Sequence, residues 1–134
     1  MIRINSSNEI LYPVTAHMLE NGTGKTKEHT FKIRYKLLSR TELREQLNKQ
    51  VNIATDNIDS LREAIRKQSD PKELSRHDAW LKSHINGWED ILGEDGEPLE
   101  FNDENYQLVM NIIPIASAID NGLMAASREE PAKN

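Results

Sequence analysis

HTFKIRYKLLSRTE, at residues 29–42, is the stretch that decides the fold class. Apolar side chains occupy every second position from Phe31 to Leu37, with basic side chains between them, which is typical of a strand with one buried face. Ser39–Glu42 then forms a capping box, in which each side chain bonds the other residue's backbone N–H at the start of a helix. A strand that leads directly into a helix predicts an α+β protein.

The segment before this strand supplies its partner. Apolar residues fall on alternate positions from Ile10 to Met18. Pro13 has no backbone N–H, so this strand fits the edge of a sheet. The polar stretch ENGTGKTKE, residues 20–28, contains two glycines and suits a turn. We therefore predict an N-terminal antiparallel β-hairpin over about residues 9–38.

The turn contains Gly24-Lys25-Thr26, the ending of a phosphate-binding P-loop. The full motif has a further glycine five positions before Gly24, where this chain has Leu19. It also needs a helix after the threonine, so that the helix N-terminus faces the phosphates. Because a strand follows here, the sequence favours a solvated turn over a nucleotide site.

Beyond residue 38 the apolar spacing becomes helical, and we predict four to five helices over residues 39–126. The first ends near Lys49, and the second runs from about Ile53 to Gln68. A third starts at Pro71 and extends to about Leu92, although no pattern decides whether residues 50–72 are one helix or a link.

The C-terminal part completes a single small domain over residues 1–126. Asn102 caps a fourth helix, with acidic residues in its first turn. Pro114 bends the chain or restarts it as a last helix. The final residues, 127–134, are expected to form a disordered tail.

Composition restricts the function. The chain has 134 residues, 22 acidic and 17 basic side chains, a formal net charge of −5 and no cysteine. An acidic balance argues against binding to a DNA duplex, and the lack of cysteine excludes disulfides, thiolate chemistry and cysteine-ligated zinc. No apolar run reaches the length of a signal peptide or a membrane span, so we expect a soluble cytoplasmic protein.

No constellation of residues indicates catalysis, a metal or a cofactor. His77 and His84 are seven residues apart, too far for the i, i+4 pair of helical metal sites. His17 and His29 face each other across the hairpin but lack a third ligand. The acidic stretch EDGEPLE does not have the spacing of an EF-hand. We therefore predict a protein that is not an enzyme.

Two sets of apolar residues are candidates for binding a partner. Two tryptophans, eight residues apart on the third predicted helix, are either core anchors or contacts at a partner surface. The last helix carries apolar side chains on more than one side, so part of its surface is available to a partner helix or a second copy. The candidate partner-binding residues are Trp80, Trp88, Ile112, Ile115, Ile119 and Leu123.

One family combines these features. WLKSHINGWEDILGEDGEPLEFNDENYQLVMNI, residues 80–112, follows FKIRYKLLSRTE, residues 31–42. Together they resemble the small tail assembly chaperones of long-tailed bacteriophages. That family shares a short N-terminal hairpin, an LS..E helix start and a tryptophan-containing segment before a G.PL.F turn. The resemblance covers most of residues 27–113.

The resemblance implies a non-enzymatic assembly factor in the cytoplasm of a host bacterium. Such chaperones bind the helical tape measure protein and keep it soluble until tail tube subunits polymerise around it. The implied partners are the tape measure protein, the tail tube protein and further copies of the chain, with no cofactor, nucleic acid or membrane.

Two other functions stay open at the level of sequence. One is a small helical adaptor or inhibitor of a phage or prophage that binds a host protein. The other is a nucleotide- or nucleic-acid-binding module that uses Lys25 and the basic strand face formed by Lys32, Arg34, Lys36 and Arg40.

Overall fold

A computed structural model of the chain describes residues 8–55 and 71–132. The elements within those residues are β1 (Glu9–Leu19), β2 (Thr26–Lys36), α1 (Arg40–Thr55), α2 (Pro71–Ser83), β3 (Ile85–Glu89), α3 (Asp103–Met110) and α4 (Ile113–Ser127). The three strands form an antiparallel sheet, and together with the helices they confirm the α+β class. The chain divides into two compact units: the sheet with α3 and α4, and a helical unit over Leu38–His84.

The N-terminal hairpin is the centre of the sheet unit. The strand order is β1-β2-β3, so β1 lies at an edge, as Pro13 requires. At the tip, the Glu20 N–H donates to the Lys25 carbonyl at 2.7 Å. β2 begins at Thr26, directly after Lys25. The lysine of the P-loop-like sequence therefore leads into a strand and not into a phosphate-binding helix N-terminus.

The third strand corrects the sequence interpretation. The helix predicted to reach Leu92 ends at Ser83, and Ile85–Glu89 is a strand that pairs with β2. β2 offers a second edge of unpaired backbone groups, and Gly87 is a poor helix residue that fits opposite Arg34 in the ladder. Trp88 therefore lies on β3, opposite Ile33, and not on a helix.

The helical unit begins as predicted. The Glu42 N–H donates to Ser39 Oγ and the Ser39 N–H donates to Glu42 Oε1, each at 3.2 Å, which confirms the capping box. α1 continues to Thr55, past its predicted end near Lys49. Residues 56–68, most of the second predicted helix, lie outside the described residues.

α4 covers the inner face of the sheet unit, mainly against β1. The Tyr35 hydroxyl donates to the Ile119 carbonyl at 2.6 Å, and both side chains are buried. Gly122 lies directly over this tyrosine: a Cβ placed there would meet the hydroxyl and lie 3.1 Å from Val14 Cγ2. A glycine therefore lets the helix approach the sheet closely enough to form the hydrogen bond. Burial raises the pKa of Tyr35 well above its ordinary value.

The end of α4 is held to the sheet. Ser127, expected in the tail, is the last residue of the helix. Beyond it, the Tyr12 hydroxyl donates to the Glu130 carbonyl at 2.9 Å, which fixes the backbone that follows α4 to β1.

Among the described helices, none is by itself long and apolar enough to cross a bilayer. α3 and α4 reach such a length and composition only as a pair, and the pair is bent by 105° at the break between them.

Candidate functional site

α3 is a short amphipathic helix with a well-formed start. The side chain of Asn102 accepts a hydrogen bond from the Asn105 N–H at 2.8 Å, which satisfies one of the free donors of the first turn. Tyr106 and Val109, three residues apart, are both buried and hold the inner face of the helix. Leu108 lies on the other side and is 60% exposed.

The bend between α3 and α4 gathers exposed apolar side chains. α3 ends at Met110, the Ile112 N–H donates to the Val109 carbonyl at 3.1 Å, and α4 starts one residue later. Ile112 is 38% exposed and Ile113 is 78% exposed. We call Leu108, Ile112, Ile113 and the exposed Pro114 the apolar elbow. It is the candidate functional site of the chain.

The backbone at the elbow breaks a local rule. Ile112 occupies the N-cap position of α4, and its side chain makes no capping hydrogen bond. Asn102 makes one at the equivalent position of α3. An aliphatic residue in place of Asn, Asp or Ser costs about 1 kcal/mol at an N-cap. Positions that give up stability in this way are often functional. The exposed isoleucine is therefore more easily explained by binding than by folding.

The other predicted residues of α4 have different surroundings. Ile115 is half-buried. Ile119 and Leu123 are 1% and 0% exposed, so in this structure they contact the chain's own core. Of the four candidates on the last helix, only Ile112 belongs to the elbow. Leu108 and Ile113 were not among the predicted site residues, because helical spacing identifies a helix face but not which face the sheet covers.

The two tryptophans do not lie together. The Nε1–H of Trp88 donates to the Leu99 carbonyl at 2.7 Å, and its ring meets Phe101 edge-on at 4.9 Å. These contacts fix the loop before α3. Trp80 belongs to the helical unit, where its ring lies 5.6 Å from the ring of His77 and 5.1 Å from that of His84.

The elbow lies in a strongly acidic part of the chain. Between Ile85 and Ser127 the sequence has no lysine, arginine or histidine. The acidic residues in that range are Glu89, Asp90, Glu94, Asp95, Glu97, Glu100, Asp103, Glu104 and Asp120. Glu104 is exposed and precedes Leu108 by four residues, so both lie on the same face of α3. The uneven charge of the two parts of the sequence could have indicated this surface in advance.

The basic strand face is balanced by carboxylates. Lys32 Nζ lies 3.7 Å from Asp90 Oδ2, and Glu89 is opposite Lys32 in the ladder between β2 and β3. Glu9 is opposite Lys36 in the ladder with β1. These exposed pairs add little stability, but they reduce the positive field that an anionic ligand would need.

The polar clusters make structural contacts. His17 Nδ1 lies 3.9 Å from Glu28 across the hairpin. Asp95 Oδ1 accepts from the Glu97 N–H at 3.0 Å, which closes the acidic loop as a turn. In residues 8–55 and 71–132, no three histidine or acidic side chains come together as a metal site.

Comparisons of the chain with protein families, with curated proteins and with solved structures found no match.

Proposed function

We propose that the chain is a non-enzymatic tail assembly chaperone of a phage or prophage. It binds the helical tape measure protein in the cytoplasm of the host bacterium and keeps it soluble until the tail tube polymerises. The apolar elbow is the observation that carries this proposal, because its exposed isoleucines and leucine offer a contact surface for an apolar helix face. The motifs of residues 31–42 and 80–112 supply the family context.

The mode of binding follows from the size of the elbow. A few side chains give a weak contact, and a long helical partner repeats its apolar stripe many times. Several chaperone copies along one partner, or copies associated with each other, would gain avidity from these repeated contacts. Tail tube protein would then displace the chaperone as it polymerises. Neither nucleic acid nor a membrane takes part in this scheme.

The first test is capture of the partner. The tagged chain is purified from phage-producing cells, and the bound proteins are identified by mass spectrometry. We expect a very long helical tail protein. Recovery of a host enzyme alone would contradict the proposal and favour a small adaptor or inhibitor.

A matched pair of variants connects capture to the elbow. Ile113→Ser removes a side chain that is 78% exposed, and Leu19→Ser removes one that is 75% exposed at the far end of β1. Both variants should fold, because neither residue is in the core. We expect Ile113→Ser to reduce capture of the tape measure protein at least about tenfold, since a buried isoleucine contributes roughly 1.5–3 kcal/mol. Leu19→Ser should capture it as the natural chain does, and equal losses in both variants would exclude the elbow.

A further inference from the structure

We propose that the apolar elbow binds one face of an amphipathic helix whose apolar stripe is flanked by lysine or arginine side chains. This inference rests on the proposed function, because it names the chemistry of the helix that the chaperone recognises. It is drawn from two independent properties of the surface: which apolar side chains are exposed, and which charges surround them.

The apolar side chains of the elbow are free to be covered by another chain. Tyr106 and Val109 make the core contacts of α3, and Ile119 makes those of α4 near the elbow. Leu108 and Ile113 remain 60% and 78% exposed. A partner can therefore bury both without unpacking the chaperone. Leucine and isoleucine side chains at a bend between helices suit an apolar stripe with i, i+3 and i+4 spacing.

The surrounding charge selects the occupant. Glu104 lies one turn before Leu108 on the same exposed face, and Asp120 lies two turns after Ile113 on α4. The sequence supplies no cation between Lys82 and Arg128. An anionic helix or an anionic lipid surface would be repelled at this site, whereas Lys and Arg beside an apolar stripe would be attracted. Charge complementarity therefore favours a cationic amphipathic helix.

The test uses the full chain and three labelled synthetic helices, with binding followed by fluorescence anisotropy. The first peptide has a leucine stripe flanked by lysine, the second has the same stripe flanked by glutamate, and the third has lysine but serine in place of leucine. We expect the first to bind at least about tenfold more tightly than either of the others at low salt. Its advantage over the glutamate peptide should shrink in about 1 M salt, where screening acts within about 3 Å.

Variants assign the binding to the elbow. Ile113→Ser should weaken the first peptide at least about tenfold, and Leu19→Ser should leave it unchanged. Glu104→Gln should weaken it by about two- to threefold and flatten its salt dependence, because a rim charge contributes less than a buried side chain. Equal affinity for lysine- and glutamate-flanked helices, or no effect of Ile113→Ser, would overturn the inference.

A membrane is the main competing occupant, and vesicles test it. Vesicles of anionic phosphatidylglycerol should not retain the chain, and retention that Ile113→Ser abolishes would overturn the inference. The outcome can be separated from that of the proposed function. Capture of the tape measure protein without a preference for the cationic peptide refutes only this inference. A clear peptide preference without such capture refutes the tape measure protein as partner and leaves the chemistry of the elbow in place.

Discussion

The two ends of α4 solve opposite problems. Toward its C-terminal half, Gly122, Leu123 and Ile119 are buried, and the missing side chain of the glycine lets the helix touch Tyr35. At its N-terminal end, Ile112 and Ile113 face solvent where a polar cap would be more stable. The small residue is inside and the large apolar residues are outside, the reverse of what packing alone would choose.

This contrast separates two kinds of sequence constraint. Gly122 is explained fully by contacts within the chain, since a larger residue would displace the Tyr35 hydroxyl from the Ile119 carbonyl. Ile113 has no such explanation, because at 78% exposure it contributes little to folding. Changes at the two ends should therefore affect different measurements: stability at the buried end and binding at the exposed end.

The largest expected effect is at the buried end. Gly122→Ala places a Cβ against the Tyr35 hydroxyl and 3.1 Å from Val14 Cγ2, in a region with no free space. We expect a loss of about 2–3 kcal/mol in the free energy of unfolding, measured by urea denaturation, because overpacking forces the helix away from the sheet. Ala118→Gly is a useful comparison on the same helix, with an expected loss of about 1 kcal/mol from helix propensity alone. Equal losses in the two variants would mean that close packing at Gly122 is unimportant.

The hydrogen bond of Tyr35 should make stability depend on pH in the alkaline range. Burial raises the pKa of Tyr35 in the folded chain above the value of about 10 that it has when unfolded. The folded state therefore holds the phenol proton more tightly, and this contribution is complete below pH 10 and is lost as the pH rises further. We expect about 1.4 kcal/mol to be lost per pH unit above 10, measured by urea denaturation between pH 8 and 11.5.

Tyr35→Phe is the control for that titration and for the packing of Gly122. It should remove this part of the alkaline decrease and cost about 1–2 kcal/mol at pH 8, because the Ile119 carbonyl loses a buried donor. It should also reduce the penalty of Gly122→Ala, since the atom that the new Cβ meets is gone. An alkaline decrease of unchanged size in Tyr35→Phe would assign the effect to other groups.

Local signals predicted the first half of the chain better than the second. Alternation gave the hairpin, and the capping box of Ser39 and Glu42 gave the start of α1, because both depend on residues close in sequence. β3 was missed because a five-residue strand around Gly87 is stabilised by its pairing with β2, which is distant in sequence.

The candidate site was predicted only in part for a related reason. Helical spacing grouped Ile112, Ile115, Ile119 and Leu123, but the position of the sheet decides which of them are covered. The bend at Ile112 was indicated by the following proline, whereas the exposure of Leu108 depends on how α3 packs through Tyr106 and Val109. Tertiary packing, which spacing does not encode, divides the apolar residues between core and elbow.

The smallest expected change in stability has the opposite sign and is the sharpest test of the comparison. Ile112→Asp replaces an N-cap without a hydrogen bond by a side chain that can accept from the first turn of α4 and that favours the positive end of its dipole. We expect the free energy of unfolding to rise by about 0.5–1 kcal/mol. Ile112→Ala is the matched control, since it removes the same apolar side chain without adding a cap and should leave stability nearly unchanged. Both variants should bind the partner helix less tightly, so Ile112→Asp would be more stable and less active at once. If Ile112→Asp instead destabilises the chain, the isoleucine supports the fold at the elbow, and the distinction between the buried and exposed ends of α4 no longer holds.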